Sequence, residues 1–334
     1  MSLFAAHIAG QPALLPVLLL ISAVLFVNGW TDAPNAITTA VASGVLSFRR
    51  AAALAAACNL TGCLFFSRFS AGVTNTVLAL AGFGPDPRQT LFALAGALLS
   101  IVLWSVLCWY FGIPTSESHA LLAGLAGAAA ALGQGFTAAE RVAWLRIALG
   151  LFLSTVPASL LGRAAANRFA GLRLPSSALR LLQKLGVCVL SFLHGAQDGQ
   201  KFLGLFLLAA ELGGRNTAGA PPLWLAGLCA LVMAAGTCLG GRRIVETVGT
   251  QMVRLDISQA CAADLACGIC LAGCTLLGLP VSTTHAKTAA VFGAGSHRKD
   301  SVSPVRAIGF AWLMTFPACF TLSYLFLHFS LRFC

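Results

Sequence analysis

The stretch Gly112–Ala120 reads GIPTSESHA, and a related stretch, Gly278–Ala286, reads GLPVSTTHA. The two copies lie 166 positions apart and share the glycine, the proline, one serine, the histidine and the final alanine. Glycine and proline interrupt helices, whereas serine and threonine cap the helix that follows an interruption. Each copy therefore predicts a break between helices, with its proline in the first turn of a new helix and its hydroxyl residues near the start.

A second repeated motif has the same spacing. Asn28–Asn35 reads NGWTDAPN and His194–Lys201 reads HGAQDGQK, with a glycine and an aspartate in matching places 166 positions apart. Two motifs that share one offset indicate a duplicated chain, which is typical of secondary transporters. We predict a first half over residues 1–165, a basic cytoplasmic linker over 166–184 and a second half over 185–334.

The composition predicts an all-α protein that crosses a membrane many times. Hydrophobic residues make up 58% of the 334 residues, and charged residues only 9%. Six runs approach or exceed the roughly 18 apolar residues that span a bilayer as a helix. They are Ala13–Trp30, Thr90–Gly112, Val142–Gly162, Leu223–Gly240, Ile257–Leu279 and Val305–His328.

Shorter apolar runs predict re-entrant or broken helices, because they cannot cross the bilayer alone. They are Asn35–Ser47, Ala71–Phe83, His119–Leu132, Lys201–Leu212 and His285–Gly295. With these runs included, we expect about 10–12 membrane segments. Gly195 and Gly199 flank the second aspartate, and we expect them to break the helix there.

The net charge of +11 comes from 21 basic and 10 acidic residues. The basic residues lie mostly between the apolar runs, a pattern that predicts cytoplasmic loops and contacts with lipid headgroups rather than nucleic-acid binding. We therefore expect a multi-pass protein of the cell inner (cytoplasmic) membrane. The charge pattern favours a cytoplasmic position for the linker over 166–184.

The 12 cysteines do not form a convincing metal motif. Cys267, Cys270 and Cys274 have metal-like spacing, but no histidine interleaves them and they fall in an otherwise apolar run. Buried free cysteine behaves as a small apolar residue. We predict no structural metal and no cofactor.

Helices that begin inside a membrane present free N–H groups and the positive end of a dipole, which together favour an anion. Hydroxyl, amide and lysine side chains near the predicted breaks can complete such a site. The residues predicted to bind the anion are Thr31, Asn35, Ser116, Ser118, Gln197, Lys201, Ser282, Thr283 and Thr284.

The two motif aspartates have a different predicted role. A carboxylate at membrane depth costs several kcal/mol, ~3 on insertion scales, and persists where it binds a cation, takes a proton or faces water. We predict that Asp32 and Asp198, with Asn28, couple transport to a cation, and Na⁺ could bind at both aspartates. Lys201 stands where the first half has Asn35, so it could contact the anion or pair with Asp198.

Five further polar residues are candidates for the site. His119 and His285 follow the hydroxyl clusters, where a buried, hydrogen-bonded histidine is favoured over a substrate contact. His194 precedes the second aspartate. Glu117 has no acidic counterpart and could sit at a mouth. Asp264 also lacks a counterpart, so a proton site and a structural ligand are equally favoured.

At these motifs the chain resembles the inorganic phosphate transporter (PiT) family. Members carry a Gly-Ala-Asn-Asp motif and a Gly-Leu-Pro-x-Ser-x-Ser/Thr-His motif in each half. Here the first type surrounds Asp32 and Asp198, and the second lies at Gly112–His119 and Gly278–His285. The Asp-Gly-Gln-Lys form at residues 198–201 looks like that of bacterial members. The resemblance covers essentially the whole chain.

The resemblance implies two inverted repeats and phosphate held near mid-membrane by the broken-helix motifs. It also implies symport with Na⁺ or H⁺, and a homodimer. Some bacterial relatives carry phosphate as a metal–phosphate complex. Thr31 and Gln197 stand where the family usually has asparagine, and Glu117 stands where a small polar residue is common.

Two alternatives remain open from the residues: a sulfate permease of the same family and an uncoupled anion channel. Monohydrogen phosphate can donate a proton to a carboxylate, whereas sulfate cannot, so the two aspartates favour phosphate. The chain has no Walker-type loop and no recognisable nucleophile elbow, so we expect a transporter and not an enzyme.

Overall fold

A computed structural model describes residues 14–69, 72–80, 83, 86–133, 138–172, 174–213, 221–252, 255–295 and 302–333 of the chain. Within these residues the fold consists of helices and connecting turns, and no strand occurs. Apolar side chains on its outside are widely exposed; Leu239 and Leu276, for example, are 77% and 79% exposed. Such a surface suits contact with lipid tails.

The first half contains seven α-helices among the described residues. They are α1 (Leu14–Thr31), α2 (Thr38–Ala42), α3 (Phe48–Phe69), α4 (Gly72–Leu80), α5 (Pro87–Tyr110), α6 (Glu117–Ala131) and α7 (Ala138–Gly171). A 3₁₀ turn, Ala33–Ala36, separates α1 from α2.

The second half follows the same order. Its helices are α8 (Ser176–Leu212), α9 (Leu223–Gly240), α10 (Arg242–Glu246), α11 (Ile257–Leu276), α12 (Thr283–Ala294) and α13 (Val302–Phe333). A π-helical turn, Thr247–Met252, follows α10. Only residues 172–175 separate α7 from α8, so most of the basic segment 166–184 is helical.

Eight of the described helices are long and apolar enough to cross a membrane. Six coincide with the long runs predicted from the sequence. The two additions, α3 and α8, share the lowest mean hydropathy of the eight, 1.3, because α3 starts with two arginines and α8 contains the second aspartate motif. With the shorter apolar helices α4, α6 and α12 the described residues provide eleven segments, which agrees with the predicted range.

The packing of the helices repeats between the halves. Helix α3 packs against α8, and correspondingly α9 packs against α1. In the same way α7 packs against α11 and α12, whereas α13 packs against α5 and α6. Each half therefore buries its helices against the other half. The inversion of one half relative to the other stays a prediction.

The Gly-x-Pro motifs end one helix and start the next in the same way in both halves. Gly112 and Gly278 adopt φ values of +69° and +64°, the left-handed conformation that closes a helix C-terminus. Ser116 and Ser282 then accept hydrogen bonds from the backbone N–H groups of the motif histidines, at 3.2 and 3.1 Å, and cap α6 and α12.

The sequence predicted that the prolines of these motifs lie in the first turns of the new helices. In the structure they lie before those helices instead. Helix α6 begins at Glu117 and α12 begins at Thr283, three positions after Pro114 and Pro280 respectively. The extended serine N-cap separates each proline from its helix. Pro34, by contrast, does lie in the first turn of a 3₁₀ helix.

The two aspartate motifs differ in backbone structure. In the first half α1 ends at Thr31, because Pro34 lacks an N–H group and its ring would clash with the preceding turn. In the second half Gln200 stands at the matching place, and α8 runs unbroken through Gly195 and Gly199. The prediction that these glycines break the helix is wrong.

The glycines of α8 instead allow a close helix crossing. A Cβ atom at Gly195 would overlap the backbone of Asn59 on α3, and one at Gly199 would overlap the side chain of Cys63. The same arrangement occurs in the partner pair, where a Cβ atom at Gly29 on α1 would overlap the backbone of Met233 on α9. Small residues at such crossings let transmembrane helices approach closely.

We predict that Gly195→Ala destabilises the protein by about 1–3 kcal/mol, the usual cost of overpacking a tight contact. The control is Gly227→Ala on α9, where an added Cβ atom would meet nothing within 4 Å. Alanine should be neutral or slightly stabilising there, because its helix propensity exceeds that of glycine. Thermal unfolding of both variants in detergent measures the difference, and equal melting temperatures would contradict the proposed crossing.

Candidate functional site

Asp32 is fully buried and is held by residues from both halves. The hydroxyl of Thr284, on α12, donates a hydrogen bond of 2.7 Å to Asp32 Oδ1. Asn35 in turn donates from its amide to the Thr284 hydroxyl at 2.9 Å and to the backbone carbonyl of Asp32 at 3.0 Å. The carboxylate lies just beyond the C-terminus of α1, where the negative end of the helix dipole favours a cation.

Asp198 is also buried and carries more partners. Lys201 Nζ lies 2.5 Å from Asp198 Oδ1, and Asn28 on α1 donates to Asp198 Oδ2 at 2.9 Å. His194, one helical turn earlier, places Nδ1 3.4 Å from the same oxygen and 3.1 Å from the Thr283 hydroxyl. The second aspartate is therefore compensated by a lysine, whereas the first is not.

Glu117 is bonded to the first aspartate motif. It is buried at the start of α6, and its Oε1 accepts a hydrogen bond of 2.8 Å from the Thr31 hydroxyl. It also lies within electrostatic range of Asp32 and Asp198. The expectation that Glu117 sits at a mouth is wrong, because the side chain is only 2% exposed.

Gln197 bonds to the end of α11 and to the segment before α12 rather than to the aspartates. Its amide donates to the Thr275 hydroxyl at 3.0 Å and to the Leu279 carbonyl at 3.2 Å, at the end of α11. These bonds tie α8 to the break before α12. In this conformation Gln197 therefore positions α8 against the break before α12.

A cavity of about 80 Å³ lies beside Lys201, between the N-termini of α6 and α12. Both N-cap hydroxyls, of Ser116 and Ser282, line it, as does the Ser118 hydroxyl. Its remaining wall is mostly apolar. Two helix N-termini, three hydroxyls and a buried ammonium group meet here, and each of them favours an anion.

The two motif histidines border the same cavity. Their rings are 5.9 Å apart and nearly perpendicular, and the His285 ring also lies 3.9 Å from the ring of Trp312. Nδ1 of His119 and both ring nitrogens of His285 have no hydrogen-bond partner among the described residues. The sequence favoured a structural role in which each histidine ring is hydrogen-bonded. These three ring nitrogens make no such bond among the described residues.

Several buried oxygens around the first aspartate also lack a partner within the described part of the chain. They are Asp32 Oδ2, Glu117 Oε2, Asn28 Oδ1 and Asn35 Oδ1. All four are hydrogen-bond acceptors, so none of them can satisfy another. Buried acceptors of this kind are satisfied by a donor or by a cation. This acceptor set makes the surroundings of Asp32 a candidate cation site.

A model of the phosphate transporter family matches this chain at residues 28–177 and 163–323, which together include all four motifs. The chain belongs to the phosphate transporter family. Membership makes it a transporter rather than an enzyme, as the sequence predicts, and the eight long apolar helices make it a multi-pass protein of the cytoplasmic membrane.

Individual members of the phosphate transporter family are similar over most of their length. A probable low-affinity inorganic phosphate transporter of Bacillus subtilis (strain 168) is 32% identical over 324 residues, which cover 92% of this chain and 95% of that protein. A protein of the same description from Rhizobium meliloti (strain 1021) is 35% identical over 311 residues, covering 89% and 90% respectively.

A solved structure described as the sodium-dependent phosphate transporter has the same fold. The TM-score is 0.80 at 20% sequence identity, and the match covers 97% of this chain and all of that one. This likeness confirms the polytopic helical fold that the sequence predicts.

A further buried cluster of this transporter centres on Asp264, outside the four motifs. Asp264 on α11 forms an ion pair with Lys287 on α12 and accepts hydrogen bonds from Thr39 at 2.7 Å and Gln183 at 3.2 Å. Both charged side chains are buried. The contacts favour a structural role for Asp264 over the proton site that the sequence left equally open.

Lys287 was missed by the sequence analysis. Its one signal was a lysine inside the short apolar run His285–Gly295, two positions after the motif histidine. The side chain also lines a second, smaller cavity of about 10 Å³ together with Asp32, Asn35 and His194. Lys287 is therefore the second buried lysine close to the motif aspartates.

We predict that Asp264→Asn destabilises the protein by about 3–5 kcal/mol, because it leaves the Lys287 charge buried without its partner. Asp264→Asn combined with Lys287→Met should recover most of that loss. The exposed pair Arg242–Glu246, whose side chains are 78% and 53% exposed, provides the control.

In the control, Arg242→Gln should change the free energy of unfolding by less than about 1 kcal/mol. Thermal unfolding in detergent measures all three variants. A double variant no more stable than Asp264→Asn alone would show that the two charges do not compensate each other.

Proposed function

We propose that this protein is a cation-coupled symporter that imports inorganic phosphate across the cytoplasmic membrane by alternating access. Its family and its bacterial relatives support phosphate as the substrate. The observation that carries the mechanism is the position of the anion cavity at Lys201, which is itself bound to Asp198. The proposed anion site therefore lies next to the proposed cation sites.

On the anion side, we propose that phosphate binds at the N-termini of α6 and α12. The hydroxyls of Ser116 and Ser282 can donate to phosphate oxygens, and Lys201 contributes positive charge. Ser118 also lines the cavity, but its hydroxyl donates to the Val281 carbonyl at 3.2 Å. His119 and His285 border the same space and can add donors. Binding by backbone and hydroxyl groups suits a transporter, because such groups hold the anion without a fixed excess of buried charge.

The remaining residues predicted to bind the anion have protein partners. Thr31, Thr283 and Thr284 donate to or pair with Glu117, His194 and Asp32, whereas Asn35 and Gln197 bond to α12 and to the end of α11. We propose that these five residues position the carboxylates and the helix breaks. Contact with phosphate is then expected only in another conformation.

On the cation side, we propose that the coupling ion binds at Asp32 with Glu117 nearby. The partnerless oxygens of Asp32, Glu117, Asn28 and Asn35 support this assignment. The interrupted backbone after α1 is the kind of segment that holds ions in secondary transporters. Na⁺ and H⁺ both fit this set of oxygens, and uptake measured with and without Na⁺ at fixed pH separates them.

Alternating access is supported by the separation of the two cavities. The larger cavity borders Lys201 and the smaller borders Asp32, and they share no lining residue. A symporter must never connect both sides of the membrane at once, so a conformation with separated cavities is expected along its cycle. The cross-packing of α3 on α8 and of α9 on α1 provides two units that could rock against each other.

The substrate can be tested with the purified protein in liposomes. We expect uptake of labelled phosphate that a large excess of sulfate does not reduce, because the family and its bacterial relatives are described as phosphate transporters. Protein-free liposomes are the control. Strong competition by sulfate would instead favour a sulfate permease.

Coupling can be tested with Asp32→Asn, which keeps the shape of the side chain and removes its charge. We expect accumulation of phosphate against its gradient to fall to the level of protein-free liposomes, because the cation loses its main ligand. The matched control is Asp256→Asn, at an exposed helix cap where asparagine caps equally well. Full accumulation by Asp32→Asn would overturn the assignment of the coupling ion to Asp32. Downhill flux in the unaltered protein that no cation gradient can drive uphill would instead favour an uncoupled channel.

A further inference from the structure

The two motif aspartates have related surroundings, built from equivalent positions of the two halves. In the first half, Asp32 is joined through the Thr284 hydroxyl to Asn35. At the positions 166 residues away lie Asp198, Ser118 and Lys201, where Lys201 Nζ donates directly both to Asp198 Oδ1 and to the Ser118 hydroxyl. The duplication has therefore produced two copies of one side-chain cluster, and an amide in one copy is replaced by an ammonium group in the other.

The Lys201 ammonium group is enclosed by oxygens of the protein. Its Nζ lies 2.5 Å from Asp198 Oδ1, 2.6 Å from the Ser118 hydroxyl and 2.7 Å from the Val281 carbonyl. The side chain is only 3% exposed. A lysine ammonium has three N–H donors, so these three contacts use all of them. The group is bound as a small cation would be, by a carboxylate, a hydroxyl and a carbonyl.

The equivalent place in the first half has no such cation. Within the described residues, Asp32 forms no ion pair, and neither its Oδ2 atom nor Oδ1 of Asn35 has a hydrogen-bond partner. Both side chains are almost fully buried. The two copies thus differ in occupancy: an ammonium group fills one, and unsatisfied acceptors remain in the other.

We propose that Lys201 is a built-in cation, which occupies beside Asp198 the place that the coupling ion takes beside Asp32. This inference rests on the proposed symport and specifies it further. The sequence analysis expected a mobile cation at both aspartates. With Lys201 in place, only the Asp32 copy can take up and release an ion, so the transport cycle carries one cation fewer than the duplicated motif alone implies.

The contacts of Lys201 argue against a primary role as a phosphate ligand. Although the side chain lines the anion cavity, all three of its donors point to protein oxygens. Binding phosphate directly would require the loss of at least one charge-assisted hydrogen bond, each of which is stronger than an ordinary one. Its charge can still attract the anion across the cavity.

The test is Lys201→Asn, which gives the second copy the same side chain as the first. In liposomes at fixed pH, the reversal potential of phosphate-coupled current gives the net charge moved with each phosphate. We expect the variant to move about one positive charge more per phosphate than the unaltered protein, because Asp198 now requires a mobile cation. Lys201→Arg, which keeps the fixed charge, should move the same charge as the unaltered protein.

The reciprocal change keeps the proposal testable if Lys201→Asn does not fold. Asn35→Lys introduces a fixed cation beside Asp32 and should lower the charge moved per phosphate by about one. The double variant that exchanges the two residues should move the original charge. A Lys201→Asn variant with a raised KM for phosphate and an unchanged charge per phosphate would overturn the proposal and make Lys201 a phosphate ligand.

The outcomes also separate this inference from the proposed symport. If the unaltered protein moves phosphate without any driving cation, the symport fails before the variants are compared. If its uptake is cation-driven but neither Lys201→Asn nor Asn35→Lys changes the charge per phosphate, the symport stands and the built-in cation is wrong.

Discussion

The arrangement of this protein depends on keeping buried carboxylates compensated inside an apolar bundle. Asp32 is held by Thr284 from the second half, and Asp198 is held by Asn28 from the first half as well as by Lys201 beside it. Removing a carboxylate from water costs several kcal/mol unless polar partners replace the water. Because each partner set draws on both halves, neither half can form its site alone. The packing of helices of one half against helices of the other half meets that requirement.

The need to compensate buried carboxylates also bears on where the backbone is interrupted and where it is continuous. The breaks before α6 and α12 are built by a left-handed glycine, an extended segment and a serine cap, so that two helix N-termini open onto the anion cavity. The break after α1 places Asp32 at the N-cap of the 3₁₀ turn Ala33–Ala36. Helix α8 needs no break at Asp198, because Lys201, one turn further along the same continuous helix, already supplies the positive charge.

Much of this could be predicted from the sequence. The shared 166-residue offset, six of the eight long helices and the residues around both aspartates follow from motif spacing and hydropathy. What the sequence could not indicate was the role of glycines 195 and 199, because a glycine that breaks a helix and one that admits a neighbouring backbone look alike in one chain. Helices α3 and α8 were missed because their polar residues, among them the exposed arginines at the start of α3, lower their mean hydropathy.

The two halves differ in how their buried carboxylates are neutralised. The described part of the chain buries four carboxylates, those of Asp32, Glu117, Asp198 and Asp264, and two ammonium groups, which both belong to the second half. Lys201 and Lys287 pair with Asp198 and Asp264, and the matching positions in the first half hold Asn35 and Leu121. Second-half carboxylates are thus neutralised within the protein. Asp32 and Glu117 form no ion pair among the described residues, which is why the proposed coupling cation is assigned to the first half.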